Sequence, residues 1–278
     1  MTASDMNTDD AAVQRLSAEY SAKARVYHRL WAPVLASMAM PLLRRLPLAD
    51  AARVLDVGTG SGILVPALRI AAPSAWLLGV DRAAGMLRLA RRVVTCAAMD
   101  AQRLALRSSS FDAALLAYVL FHCPQPIVAL REVHRVLRGR GTIGVVTWGS
   151  VAAMPGMAVW AEELDALGAS ADARIDDAGV FRHASMNTPD KLTALLQEAG
   201  FEHPQAQSDD FVFRWSTRRM ATIQANCGPP AGRLEKLSPA LRAECRRRVR
   251  HRLAQLDDAQ RLCRLQVVSA VARRPAQS

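Results

Sequence analysis

The residues best placed to do chemistry begin at Asp56, where Asp56-Val57-Gly58-Thr59-Gly60-Ser61-Gly62 follows the apolar run from Val54. A short strand that ends beside a carboxylate and runs into a loop with glycine at every second position makes a nucleotide-type pocket. Glycine lets the backbone turn sharply and lie against a ligand with no side chain between them. Further on, Leu77-Leu78-Gly79-Val80-Asp81 is a second apolar run ending in a carboxylate. Asp81 can accept from both hydroxyls of a ribose; it can also cap the helix expected from Ala83. The loop is not the dinucleotide fingerprint Gly-x-Gly-x-x-Gly, because Ile63 stands where its third glycine belongs. Taken alone, the loop still suits another Rossmann-type binder.

The elements that must position these residues follow an alternating rhythm. Short apolar runs at 53–57, 76–80, 94–98, 113–118 and 142–147 read as strands buried on both faces. Helical patterns at 62–71, 83–92 and 124–138 lie between them, which argues a doubly wound α/β sheet. Residues 1–48 are expected to form an N-terminal helical cap, with 1–10 disordered, Tyr20, Ala24, Tyr27 and Trp31 on one helical face, and Pro33, Pro41 and Pro47 as punctuation. A core at 49–149 follows, then a cap insertion at 150–187 with Met157, Trp160, Leu164 and Leu167 at helical spacing. The last part, 188–278, carries a helix opened by Thr188-Pro189 and a strand at 211–215. A helical insertion at about 216–258 and a strand at 265–272 complete it.

The spacing Asp-x-Gly-x-Gly-x-Gly from Asp56 to Gly62 resembles the first motif of class I S-adenosylmethionine-dependent methyltransferases. Phe111-Asp112-Ala113-Ala114, Leu120-Phe121-His122 and Leu130-Arg131-Glu132-Val133-His134-Arg135-Val136-Leu137 are similar to the small-molecule branch related to the ubiquinone/menaquinone methyltransferases, the type 11 group. The likeness is strong over about 50–149 and looser over 188–215 and 264–275. Arg138-Gly139-Arg140-Gly141 departs from the family's Lys-Pro-Gly-Gly, although Gly141 remains to make the turn. The resemblance implies a Rossmann-like seven-stranded sheet of order 3-2-1-4-5-7-6, with strand 7 antiparallel. It implies S-adenosylmethionine held by Asp56, Gly58, Gly60 and Gly62, with Asp81 on the ribose and Arg82 and Met86 near the adenine. Asp100 and the amide of Ala101 would meet the adenine edge, Ala117 would end the fourth strand, and Tyr20 would fold over from the N-terminal helix.

Methyl transfer from a sulfonium is an in-line displacement, so alignment and exclusion of water carry most of the catalysis, on the order of 7–11 kcal/mol. A base is needed only where the acceptor must lose a proton. His122, after the fourth strand, is the first candidate; a packed imidazole is the competing reading. His28, His183 and His203 are weaker candidates. Tyr27, Trp31, Tyr118, Trp160 and Trp215, with Met154 and Met157, suggest an apolar acceptor pocket, although such stripes more often build core. The favoured function is O-methylation of a small organic acceptor in secondary metabolism, with carbon or nitrogen as other acceptor atoms. The competing readings are a protein that uses the site for non-methylating chemistry or binding, and a nucleic-acid-directed methyltransferase.

Composition bounds these readings. The 278 residues are 51% hydrophobic and 22% charged, ordinary for a globular protein. The polar, acidic start is no signal peptide and no span is expected, so the expected location is the cytoplasm. Cys96, Cys123, Cys227, Cys245 and Cys263 are scattered and odd in number, which favours free thiols. Histidines and carboxylates do not cluster at metal-ligand spacing. The net charge of +11 is densest from Arg242 to Arg252, around an apolar face of Leu241, Cys245, Val249 and Leu253. That pattern reads first as a solvated face. Sparse aromatics and the absence of Asn-Pro-Pro-Tyr after the fourth strand weigh against nucleic acid. A homodimer is compatible with the sequence.

Overall fold

A computed structural model describes residues 3–150, 155–169, 182–227 and 229–276. Its centre is a seven-stranded sheet of order β3-β2-β1-β4-β5-β7-β6. The first half alternates strand and helix: β1 (Arg53–Val57), α3 (Val65–Ala71), β2 (Trp76–Asp81), α4 (Ala84–Ala90), β3 (Thr95–Ala98), β4 (Phe111–Ala117), α5 (Pro126–Val136) and β5 (Leu137–Trp148). These five strands pair in parallel. β1 and β4 are buried along nearly their whole length, which is why each reads as a continuous apolar run. Val57 pairs with Val80 on one side and Leu116 on the other. Gly58, Asp81 and Ala117 therefore leave the sheet side by side, at the point where the strand order reverses and ligands bind in such sheets.

Two helices precede the sheet, α1 (Ala3–Leu30) and α2 (Ala32–Arg45). The backbone is helical from Ala3, so the expected disordered start is corrected. The helices break at Trp31, and α2 runs through Pro41 rather than stopping there. Its buried Val34, Leu35, Met38, Leu42 and Leu43 anchor it in the main core, which outweighs the one hydrogen bond that Pro41 removes. α1 crosses α4 at Gly85. A Cβ at Gly85 would collide with the Ser21 carbonyl oxygen, and the Gly85 amide donates to Ser21 Oγ at 3.1 Å.

The second half holds α6 (Pro155–Ala166), α7 (Pro189–Glu198), β6 (Glu202–Arg214), α8 (Thr217–Asn226), α9 (Pro229–Glu235), α10 (Pro239–Ala254) and β7 (Leu262–Arg273). β7 is antiparallel to both β5 and β6. Thr188, Ser216 and Ser238 cap α7, α8 and α10 through their side chains. β6 has 13 residues and starts nine before the expected Phe211. Its first part is polar because it forms a sheet edge, and Pro204 falls at the irregularity between Glu202 and Gln205, where no ladder donor is needed. α3 begins at Val65 rather than Gly62, since Gly62 is still in the left-handed turn. On α10 the apolar face is narrower than expected: Cys245, Val249 and Leu253 are buried, whereas Leu241 is exposed. Much of the segment expected as an inserted cap, including Met154, lies outside the described residues. Among the described residues, no helix is long and apolar enough to cross a membrane.

Candidate active site

The glycine loop is built by hydrogen bonds back to the sheet. The amides of Gly58 and Thr59 donate to the Val80 carbonyl at 2.8 and 3.0 Å. Gly58 has φ +72°, and a Cβ there would sit 2.5 Å from Val119 Cγ2, so only glycine fits. Asp81 ties the loop to α4: Oδ2 accepts from the Gly60 amide and Oδ1 from the Ala83 amide, each at 2.8 Å. It is not the helix cap expected of it, because Ala83 is the N-cap of α4 and Asp81 holds the amide of that residue; each oxygen keeps a lone pair for a further donor. Burial raises the Asp81 pKa, and the backbone amides of Ala83 and Gly60 pull it back.

Beyond the loop lies a pocket of about 120 Å³. Of the expected site residues, Gly58, Gly60, Asp81, Arg82, Met86, Ala101, Ala117, Tyr118, Tyr20, Tyr27 and His122 line it. Gly62 does not; it turns the loop against Ala90 and Val93. Asp56 lies behind the loop, 4% exposed, with Oδ2 buried and lacking a partner. Burial pushes its pKa up to about 6. Asp100 also stands outside the wall. Its Oδ1 accepts from Arg82 at 2.9 Å and from the Gln102 amide at 2.7 Å, which fixes Arg82 beside the pocket.

α1 supplies the remaining wall. Val13, Leu16 and Ser17 join Tyr20 and Tyr27 on one face of the helix. The first three escaped the sequence reading, although their spacing continues the Tyr20 stripe. Tyr20 Oη lies 3.1 Å from His122 Nε2, and the two tyrosine rings meet edge-on with centroids 5.4 Å apart. Burial raises the pKa of both tyrosines far above neutrality, so both keep their protons. His28 Nδ1 is 2.8 Å from Ser61 Oγ, which fastens the end of α1 to the glycine loop. His28 thus holds the loop and does not line the pocket. His183 stacks on Phe121 at 4.3 Å, and His203 is exposed on β6.

The expected acceptor aromatics divide. Tyr118, at φ +56°, lines the pocket with its hydroxyl buried and without a partner, and its ring lies 5.1 Å from that of Trp148. Trp31 stacks on Trp148 and meets Trp215 edge-on, each at 6.1 Å, but neither Trp31 nor Trp215 is among the residues that line the pocket. Trp160 is corrected to a core residue: at 1% exposure it is sealed in the main cluster and does not line the pocket. Its helical spacing marked burial, as amphipathic stripes usually do.

Two features fit a nucleoside with a cationic tail: the carboxylate of Asp81 at the pocket wall, and the unpartnered buried acceptor on Asp56 behind the loop. Residues 55–145 match the family model for a methyltransferase domain. The chain is 31% identical over 210 residues to a malonyl-[acyl-carrier protein] O-methyltransferase of Herminiimonas arsenicoxydans, covering 73% of this chain and 71% of the relative. It is 29% identical to the protein of the same description from Geobacter sulfurreducens, over 80% of this chain and 82% of the relative. To the ubiquinone/menaquinone biosynthesis C-methyltransferase UbiE of Syntrophotalea carbinolica it is 34% identical, over 37% of this chain and about half (47%) of the relative's length. Among solved structures, YcgJ from Bacillus subtilis matches with TM-score 0.53 and 17% identity, over 87% of this chain and 99% of that one. A Haemonchus contortus phosphoethanolamine N-methyltransferase in complex with S-adenosyl-L-methionine matches with TM-score 0.52 and 17% identity, over 86% of this chain and 52% of that one. The chain belongs to the class I S-adenosylmethionine-dependent methyltransferases, in their small-molecule branch. Its cofactor is S-adenosylmethionine.

Proposed function

We propose that this methyltransferase acts on an oxygen of a small organic acceptor in secondary metabolism, with His122 as the proton acceptor. The observation that carries this reading is the hydrogen bond between Tyr20 and His122 at the pocket wall. The bound cofactor supplies an electrophilic methyl carbon on a sulfonium leaving group. Asp81 would hold its nucleoside, and Asp56, through its unpartnered oxygen, its amino-acid end. Tyr118 offers an acceptor a buried hydroxyl. Tyr20, which stays protonated, donates to Nε2 when the imidazole carries its own proton on Nδ1, and so orients the ring. An acceptor hydroxyl that takes the place of Tyr20 at Nε2 can lose its proton to that nitrogen, since a neutral imidazole is a suitable base near neutrality.

Oxygen is favoured over carbon because the O-methyltransferase relatives align over 73–80% of this chain, whereas UbiE aligns over 37%. The test is formation of S-adenosylhomocysteine with a panel of phenols, alcohols and carboxylic acids, by wild type and by His122→Asn. Turnover of a phenol or alcohol that the substitution abolishes supports the reading. Tight cofactor binding with no turnover of any acceptor sinks it, and favours non-methylating use of the site.

A second reading is methylation of a carboxylate on an acyl chain, which the two malonyl-[acyl-carrier protein] relatives favour. A carboxylate is already ionised at neutral pH and needs no base. His122→Asn then leaves turnover nearly intact, and the rate stays flat with pH through the range where histidine titrates.

A further inference from the structure

A second cavity, of about 190 Å³, lies where α1 meets α8, α9 and α10. It shares no lining residue with the cofactor pocket. Three cations line it, Lys23 of α1 with Arg242 and Arg246 of α10, against a single carboxylate, Glu235. Lys23 Nζ pairs with Glu235 Oε1 at 3.0 Å, and Glu235 remains well exposed. Arg242 Nη2 donates to the carbonyls of Glu235 and Leu237, at 3.1 and 3.0 Å, at the end of α9. Its Nε is buried and has no partner. The space is more than ten times the roughly 10–15 Å³ a single water needs.

We propose that this cavity is a binding site for a phosphate-type anion, held by Arg242, Arg246 and Lys23. A tetrahedral oxyanion accepts from the side chains of Arg246 and Lys23 beside Arg242 and relieves the repulsion among three cations around one carboxylate. The site is separate from the methyl-transfer pocket, with α1 as a common wall. Tyr20 and Tyr27 face the cofactor side of that helix, and Lys23 and Val26 face the anion side. An anion that draws Lys23 toward α10 keeps α1 seated over the cofactor. By linkage it then tightens cofactor binding, and the cofactor tightens the anion by the same factor.

The test uses inorganic pyrophosphate as the probe, at constant ionic strength. Its binding is followed by calorimetry with and without S-adenosylhomocysteine, in wild type and two single variants. Arg246 is exposed, so Arg246→Gln spares the helix packing; Arg250→Gln removes an exposed charge from the same helix outside the cavity. The expected result is saturable one-site binding that Arg246→Gln weakens about tenfold and Arg250→Gln leaves within about twofold. Saturating pyrophosphate should tighten S-adenosylhomocysteine about fivefold or more in wild type and leave Arg246→Gln unchanged. Absence of saturable binding overturns the proposal, as does equal weakening by both variants, which marks diffuse attraction to a basic surface. Unchanged cofactor affinity overturns the coupling through α1. Competition with S-adenosylhomocysteine shows the anion in the cofactor pocket and overturns the separate site.

Discussion

The hydroxyl of Tyr20 stands 3.1 Å from Nε2 of His122, across 102 residues of chain. This contact joins the N-terminal helix to the turn after β4, on the side of the sheet where the glycine loop ends. It holds the tilt of the imidazole, and it exists only while α1 lies over the pocket. Seating of the helix and orientation of the proposed base are thus coupled.

His122→Asn is expected to lower kcat for a hydroxyl acceptor by about 10²–10⁴-fold, the usual range for loss of a general base. Tyr20→Phe keeps the ring packing and removes only the hydrogen bond, so a smaller loss of about tenfold is expected, with a displaced pH–rate profile. The check is steady-state kinetics across pH beside calorimetric affinity for S-adenosylhomocysteine. An unchanged pH profile in Tyr20→Phe would remove the orienting role.

Asp81 receives two backbone amides and faces the pocket. Asp81→Ala should weaken S-adenosylhomocysteine by about 1.5–3 kcal/mol, the range for hydrogen bonds to a charged group. NADH should bind neither protein. Calorimetry with both ligands decides this, and undiminished affinity in the variant would move the ribose elsewhere.

Gly58 and Gly60 separate steric exclusion from backbone strain. Both have positive φ, but a Cβ at Gly58 meets Val119 at 2.5 Å, whereas at Gly60 the nearest atom is 3.9 Å away. Gly60→Ala should cost about 1–2 kcal/mol, the strain of the left-handed backbone alone. Gly58→Ala should cost more, because Val119 must move as well. Denaturant unfolding of the two variants should rank them in that order.

Gly85 is where α1 rests on α4, and any side chain there strikes the Ser21 backbone. Gly85→Ala should lift α1, speed amide exchange along its length and weaken S-adenosylhomocysteine. The strands of the sheet should keep their protection. Uniform loss of protection throughout the protein would show that α1 belongs to the global folding unit instead.

Asp56 titrates near 6 in the folded protein against 3.8 for an ordinary aspartate, because burial disfavours its charge. The folded state therefore holds the proton more tightly, so stability falls as pH rises from 3.8 and the loss is complete above about 6. The shift corresponds to about 3 kcal/mol. Asp56→Asn should raise the Tm of the ligand-free protein at about pH 8 and bring no such gain at about pH 4. A cationic group bound at Asp56 lowers its pKa, so wild-type affinity for S-adenosylhomocysteine should climb from about pH 5 to pH 7 and then level. A pH-independent affinity would place the cofactor's amino group away from Asp56.

Residues 53–81 were legible without a structure because each signal there is local. An apolar run specifies a strand buried on both faces, alternate glycines specify a tight loop with left-handed backbone, and Asp81 ends the next run. The strand order followed from a motif resemblance that spans the core, and the sheet has that order. Pairing and crossing were not legible. The polar first part of β6 is a strand only because β7 supplies its hydrogen bonds, and Trp160 reads the same by spacing whether it faces a ligand or the core. Gly85 carries no local sign that Ser21 will lie against it. Sequence alone thus determined the nucleotide loop and the carboxylates beside it, whose conformations depend on neighbours in the chain. The tertiary structure decided that α1 covers the loop and that Tyr20 meets His122, because such contacts arise from packing between distant segments and leave no periodic trace in either one.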